Sequence, residues 1–238
     1  MIRTLIVVVL LALYTLVLGV PLVVYSWLAG SVDLLYRAGV AGVIFLLRAV
    51  GMKVRVEGVE NVPPGACVFV ANHASYVDPP AVASAIPRRI AILAKKSLFR
   101  LPVVSWAFRL ARFVPVDRAN REAAIGSVDE AIQALREGTS FLIYPEGTRS
   151  PDGRLKPFKK GAAVMAIKAG VPLVPVSVSG AHRIMRRGKF ALHPGEVVVR
   201  FGAPIEPSSY TLEQRNALIA RVQAAVAAGL PPDQQPNP

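Results

Sequence analysis

Apolar and polar positions divide this chain into regimes. From Leu5 to Leu28 nearly every residue is apolar and none is charged, enough for a helix to cross a bilayer. The run is too long for a signal-peptide core, and Trp27-Leu28-Ala29-Gly30-Ser31 is a poor cleavage site. Gly19 and Pro21 interrupt it and predict a kink, while Tyr14, Tyr25 and Trp27 suit interfacial anchors. A second apolar segment, Ala38 to Val50, lies between Arg37 and Arg48 and is short for a span. Together they predict a membrane-embedded helix or a two-helix hairpin dipped into one leaflet, over residues 1–50. A buried pair of core helices is the alternative.

From Lys53 the pattern changes to short apolar runs separated by polar turns. Val54 to Gly58 alternates as an edge strand does. Further strands are predicted at Cys67–Ala71, Ile90–Ala94, Phe113–Val116, Ser140–Tyr144, Leu173–Val178 and Val197–Phe201. Helical spacing lies between several of them. Ile125, Val128, Ile132 and Leu135 share one face of a helix over 120–136, which Gly138 stops. Gly161 to Ala169 forms another, ended by Gly170. Thr211-Leu212-Glu213-Gln214 reads as a capping box opening a last helix through Ala228. Strands alternating with helices make residues 51–230 an α/β domain, a largely parallel sheet flanked by helices. Residues 231–238 are polar and proline-rich and read as a disordered tail.

The residues that follow the strands carry the chemistry. After Cys67–Ala71 come Asn72 and His73, with Asp78 five residues beyond the histidine. After Ile90–Ala94 come Lys95 and Lys96, and after Phe113–Val116 come Asp117 and Arg118. After Ser140–Tyr144 come Pro145-Glu146-Gly147-Thr148-Arg149-Ser150. In a parallel sheet all of these reach one edge, where α/β proteins bind ligands. Histidine there can accept a proton near pH 7, and a carboxylate can orient its ring and stabilise the cation. The cations suit a phosphate or carboxylate, arginine by a bidentate grip. Gly147 lets backbone approach a ligand closely. A plainer reading stands beside this one: Asp78 as the N-cap of a helix opened by Pro79, and His73 as a hydrogen-bonded turn histidine.

Charge sharpens the choice of partner. The 238 residues carry a formal net charge of +13, of which the first fifty hold only +2, leaving +11 on the later part. That surface calls for an anionic partner. A nucleic acid is disfavoured, because no nucleic-acid motif is present and the N-terminus is apolar. Cys67 is the one cysteine and suits a small core residue; no zinc-binding spacing exists.

These blocks resemble the 1-acyl-glycerol-3-phosphate acyltransferases of the glycerolipid acyltransferase superfamily. The family's Asn-His-x4-Asp block is matched by Asn72, His73 and Asp78, and Pro-Glu-Gly-Thr-Arg-Ser by Pro145 to Ser150. A second block resembles Lys95 to Pro102, with Ser105 where a glycine is expected. The arginine after a Val-Pro-Val strand matches Arg118, and a proline-centred apolar block resembles Val174-Pro175-Val176. The resemblance covers roughly residues 53–204.

It implies transfer of an acyl group from acyl-CoA or acyl-acyl carrier protein to the sn-2 hydroxyl of lysophosphatidic acid. His73 is then the general base and Asp78 its orienter. Arg149, Arg118 and Lys95 would hold the acceptor phosphate, in a pocket shaped by Asn72, Glu146, Gly147, Thr148 and Ser150. No metal or cofactor is implied. The expected setting is an anionic membrane surface, on the cytoplasmic side of the cell membrane. The rivals are another acceptor (glycerol 3-phosphate, another lysophospholipid or a lyso-ornithine lipid) and a basic membrane-binding protein without catalysis. The latter has no need of His73 and Asp78.

Overall fold

The computed structural model describes residues 2–100, 102–117, 121–189 and 191–236. The apolar N-terminal run is helical from end to end. Helix α1 (Ile2–Tyr14) passes through one wide π turn (Thr15–Gly19) into α2 (Val20–Ala29). The wide turn sits just ahead of Pro21, where the missing N–H breaks the regular ladder, so the expected kink takes this form. Thr4–Ala29 is long and apolar enough to cross a membrane, and its most apolar stretch is unburied. Helix α3 (Asp33–Ala49) runs back against it. The Tyr14 ring lies on Gly42, where a β-carbon would enter the ring, and its hydroxyl donates to the Ala38 carbonyl at 2.8 Å.

Among the described residues, the broad exposed apolar face is that of α1 and α2. Helix α3 buries Ile44, Leu46 and Leu47, and Ile44 and Leu47 join the core above the sheet. The second half of the expected hairpin therefore packs on the α/β layer.

The strands are β1 (Met52–Glu57), β2 (Val68–Ala71), β3 (Ile90–Lys95), β4 (Val114–Val116), β5 (Ser140–Ile143), β6 (Leu173–Ser179) and β7 (Gly195–Phe201). They form one sheet in the order β1-β7-β6-β2-β5-β3-β4. From β6 to β4 all neighbours are parallel; β7 is antiparallel to β6 and parallel to β1. The intervening helices are α4 (Asp78–Ala85), α5 (Pro102–Leu110), α6 (Arg121–Arg136), α7 (Gly161–Ala169), α8 (Ala181–Ile184) and α9 (Arg215–Ala228). Ser105, in the place of the expected glycine, lies within α5.

The central strands are mostly apolar because both faces are covered. On β2, Phe69 and Ala71 face the core shared with α3, α4 and α8. Val68 and Val70 face the core shared with α6, α7 and α9. Burial of Cys67 pushes its thiol up to about 11, as expected of a small core residue.

Two sequence expectations change. Helix α9 begins at Arg215 rather than at the capping box; Gln214 Oε1 does accept the Thr211 N–H at 3.0 Å, but as part of a preceding turn. The tail is ordered through residue 236. Gln234 is buried and ties it down: its side chain accepts from the Gly180 N–H at 3.0 Å and donates to the Gly153 carbonyl at 3.3 Å. A polar, proline-rich composition does not reveal that one glutamine finds these backbone partners.

Candidate active site

β2 and β5 are parallel neighbours, so the turns leaving them lie side by side. Asn72 follows the last β2 residue and carries the ladder one step beyond the strand. Its Nδ2 donates to the Val178 carbonyl at 2.9 Å and its Oδ1 accepts the Val178 N–H at 2.7 Å. Both polar atoms of the amide are committed to β6, so Asn72 braces the turn instead of facing a ligand.

The backbone of His73 is clamped by the β5 turn. Its N–H donates to Glu146 Oε1 at 2.8 Å, and its carbonyl accepts the Ser150 N–H at 2.7 Å. Its ring stacks on Tyr144, with centroids 4.2 Å apart and planes inclined by 28°. Nδ1 lies 2.8 Å from Asp78 Oδ2. That oxygen also accepts the Ala74 and Ser75 N–H groups, both at 2.7 Å. An oxygen taking two backbone donors is a carboxylate acceptor, so Nδ1 is the protonated nitrogen and Nε2 holds the lone pair. The Asp78 side chain is 1% exposed and that of His73 17%: the carboxylate is sealed and the imidazole edge reaches the surface. Asp78 turns back onto the His73 loop and does not cap α4, whose N-cap is Val77 without a side-chain bond.

The second turn is built around a buried carboxyl group and a close backbone approach. Glu146 is buried, and desolvation pushes it up to about 7, against the opposing pull of the His73 N–H and Lys156. Its Oε2 has no hydrogen-bond partner. Gly147 adopts φ +76°, and a β-carbon there would stand 2.9 Å from Lys159 Nζ. Thr148 Oγ1 accepts from Lys156 Nζ at 2.7 Å. Ser150 Oγ donates to Asp152 at 2.8 Å and accepts the Gly153 N–H at 3.1 Å, closing the loop.

Arg149 leaves the turn toward the other block. Its guanidinium carbon lies 3.4 Å from the centroid of the Tyr76 ring, its carbonyl accepts from Arg187 at 3.0 Å, and its Nη1 is buried without an acceptor.

The structure thus brings His73, Asp78 and the turn 145–150 together. Lys95 is exposed at the end of β3, which β5 separates from β2, about 10 Å away at two strand spacings. Arg118 lies outside the described residues. Sequence reasoning missed Tyr144, Tyr76, Lys156, Lys159 and Arg187. Lys156, Lys159 and Lys160 form a legible basic cluster after the Pro145–Ser150 block; nothing in the pattern marked the two tyrosines. Among the described residues no cluster of His, Cys, Asp and Glu is arranged to hold a metal.

Comparison with known proteins bears on the family and the fold. The acyltransferase family model matches residues 53–179. A 1-acyl-sn-glycerol-3-phosphate acyltransferase of Limnanthes douglasii is 33% identical over 187 residues, 78% of this chain and 66% of the relative. One of Limnanthes alba is 32% identical over 203 residues, 85% of this chain and 71% of the relative. The crystal structure of the 1-acyl-sn-glycerophosphate (LPA) acyltransferase PlsC from Thermotoga maritima superposes with a TM-score of 0.78 at 30% identity, covering 94% of this chain and 93% of that one. With the two motif blocks joined on one sheet edge, the whole fold shared with a solved relative and the family model matching more than half of its length, this chain belongs to the acyltransferase family, among the 1-acyl-sn-glycerol-3-phosphate acyltransferases.

Proposed function

We propose that this protein moves a fatty acyl group from a thioester, acyl-CoA or acyl-acyl carrier protein, to the sn-2 hydroxyl of lysophosphatidic acid, giving phosphatidic acid. The observation that carries this reading is the His73–Asp78 pair at 2.8 Å, with Arg149, whose buried Nη1 has no acceptor, leaving the adjoining turn.

The acceptor hydroxyl oxygen attacks the thioester carbonyl carbon as His73 Nε2 removes its proton. The resulting imidazolium is held by the Asp78 carboxylate through Nδ1–H. The tetrahedral intermediate collapses, the C–S bond breaks, and the thiolate leaves with the proton from Nε2. The acyl group passes directly, so no enzyme nucleophile is required.

Arg149 grips the acceptor phosphate, and Arg118 and Lys95 are the further cations that the family resemblance assigns to it. Asn72, Glu146, Gly147, Thr148 and Ser150 give the pocket its shape. The apolar α1–α2 helix attaches the enzyme to the membrane that supplies the acceptor. In this reading the basic domain, on the cytoplasmic side of the cell membrane, faces anionic lipid.

The test is acyl transfer by purified full-length protein with acyl-CoA and acyl-acyl carrier protein against a panel of acceptors: lysophosphatidic acid, glycerol 3-phosphate, lysophosphatidylcholine and a lyso-ornithine lipid. Phosphatidic acid should be the main product. Preferential use of any other acceptor would overturn the assignment of substrate, and no transfer to any of them would overturn the assignment of activity.

A further inference from the structure

Tyr76 lies in the loop between His73 and Asp78, and half of its surface is open, at 49%. It is not held there by the core. Its one described ring contact is the Arg149 guanidinium, at 3.4 Å from carbon to centroid. That is the thickness of two stacked planes, so the guanidinium lies over the ring face. Arg149 meanwhile keeps a buried Nη1 with no acceptor. A cation partly withdrawn from water needs compensation. A carboxylate would supply it but would occupy the same N–H fork that an anionic ligand uses. A ring face supplies it through the aromatic quadrupole and leaves the N–H edges open. On the other side, Arg187 donates to the Arg149 carbonyl at 3.0 Å and fixes the backbone from which the side chain departs.

We propose that Tyr76 is a positioning residue for acceptor binding: its ring holds the Arg149 guanidinium flat beside the His73–Asp78 turn, with the N–H edge presented to the acceptor's phosphate. This rests on Arg149 being the phosphate ligand. Tyr76 takes no part in proton transfer, and it links the two sequence blocks through a contact that neither block contains alone.

The test compares Tyr76→Leu, Tyr76→Phe, Arg149→Ala and the Tyr76→Leu/Arg149→Ala double variant in full-length protein. Acyl-CoA is the donor and lysophosphatidic acid the acceptor. Tyr76→Leu should raise the acceptor KM about 3- to 30-fold, the span of a cation–π contact. Its kcat, its donor KM and the midpoint of its pH–rate profile should stay near wild type. Tyr76→Phe keeps the ring and should keep the KM. In the Arg149→Ala background, Tyr76→Leu should add nothing. A full further loss in that background would mean that Tyr76 contacts substrate on its own account, overturning the proposal. A Tyr76→Phe defect equal to that of Tyr76→Leu, or a shifted pH profile, would do the same. A wild-type acceptor KM in Tyr76→Leu alongside a defective Arg149→Ala would overturn the role of Tyr76 and leave the phosphate reading standing. A wild-type acceptor KM in Arg149→Ala would overturn both.

Discussion

Replacing Asp78 by Asn isolates what the buried carboxylate contributes, because size and shape are kept. Oδ2 accepts three hydrogen bonds, from His73 Nδ1 at 2.8 Å and from the Ala74 and Ser75 N–H groups at 2.7 Å. An asparagine can turn its carbonyl oxygen to the same three donors. Each bond then changes from charge-assisted to neutral, a loss of about 1 kcal/mol apiece, or about 3 kcal/mol in all. The amide nitrogen falls where Oδ1 sits, buried and without a partner, and adds to the cost. For a chain of this length about 3 kcal/mol lowers Tm by roughly 6–12 °C. Catalysis loses more than geometry, since the imidazolium formed at His73 no longer has a counter-charge; turnover should fall about 10²- to 10⁴-fold. Initial rates of acyl transfer to lysophosphatidic acid in detergent micelles measure the second effect, and thermal unfolding followed by circular dichroism the first. His73→Ala, which removes the base itself, should be more severe in rate. Turnover of folded Asp78→Asn within threefold of wild type would remove the carboxylate from the mechanism.

Arg149→Ala should cost about 2–5 kcal/mol in acceptor use, the range for a desolvated charge contact, with donor KM little changed. Arg149→Lys should not restore it, because a lysine lacks the planar fork; equal use of lysophosphatidic acid and lysophosphatidylcholine by wild type would contradict a phosphate-monoester site. Glu146 is pushed up to about 7 by burial, so between roughly pH 4.5 and 7 the folded chain holds a proton that the unfolded chain has lost. Stability should therefore fall as pH rises through that window, by about 3 kcal/mol, and level off above it. Glu146→Gln should flatten that slope in Tm measured from pH 4.5 to 8, and an unchanged slope would refute the cause. Full-length protein should stay with membranes through a wash at about 1 M salt, where the Debye length is about 3 Å and electrostatic attachment is screened; recovery in the supernatant would show that α1–α2 does not anchor it.

The sequence by itself determined which segments are strands, because a strand buried on both faces is apolar at nearly every position, as Val68–Ala71 is throughout and Ser140–Ile143 is after its first residue. It determined that polar residues following such strands share one edge if the strands are parallel. It also showed the His73–Asp78 spacing, since five residues of one turn are close in the chain as well as in space. Strand order was not legible: local pattern does not say that β2 lies between β6 and β5, and that order alone sets Asn72 against Val178 and Glu146 against the His73 N–H. For the same reason Lys95, grouped with Arg149 by its place after a strand, stands beyond β5 from β2. The stacking of Tyr144 on His73 and of Arg149 on Tyr76 depends on side-chain directions fixed only when the two turns pack together. Gln234 makes the same point at the far end of the chain, where two backbone groups from distant segments, at Gly180 and Gly153, hold a tail whose composition alone gives no reason to fold.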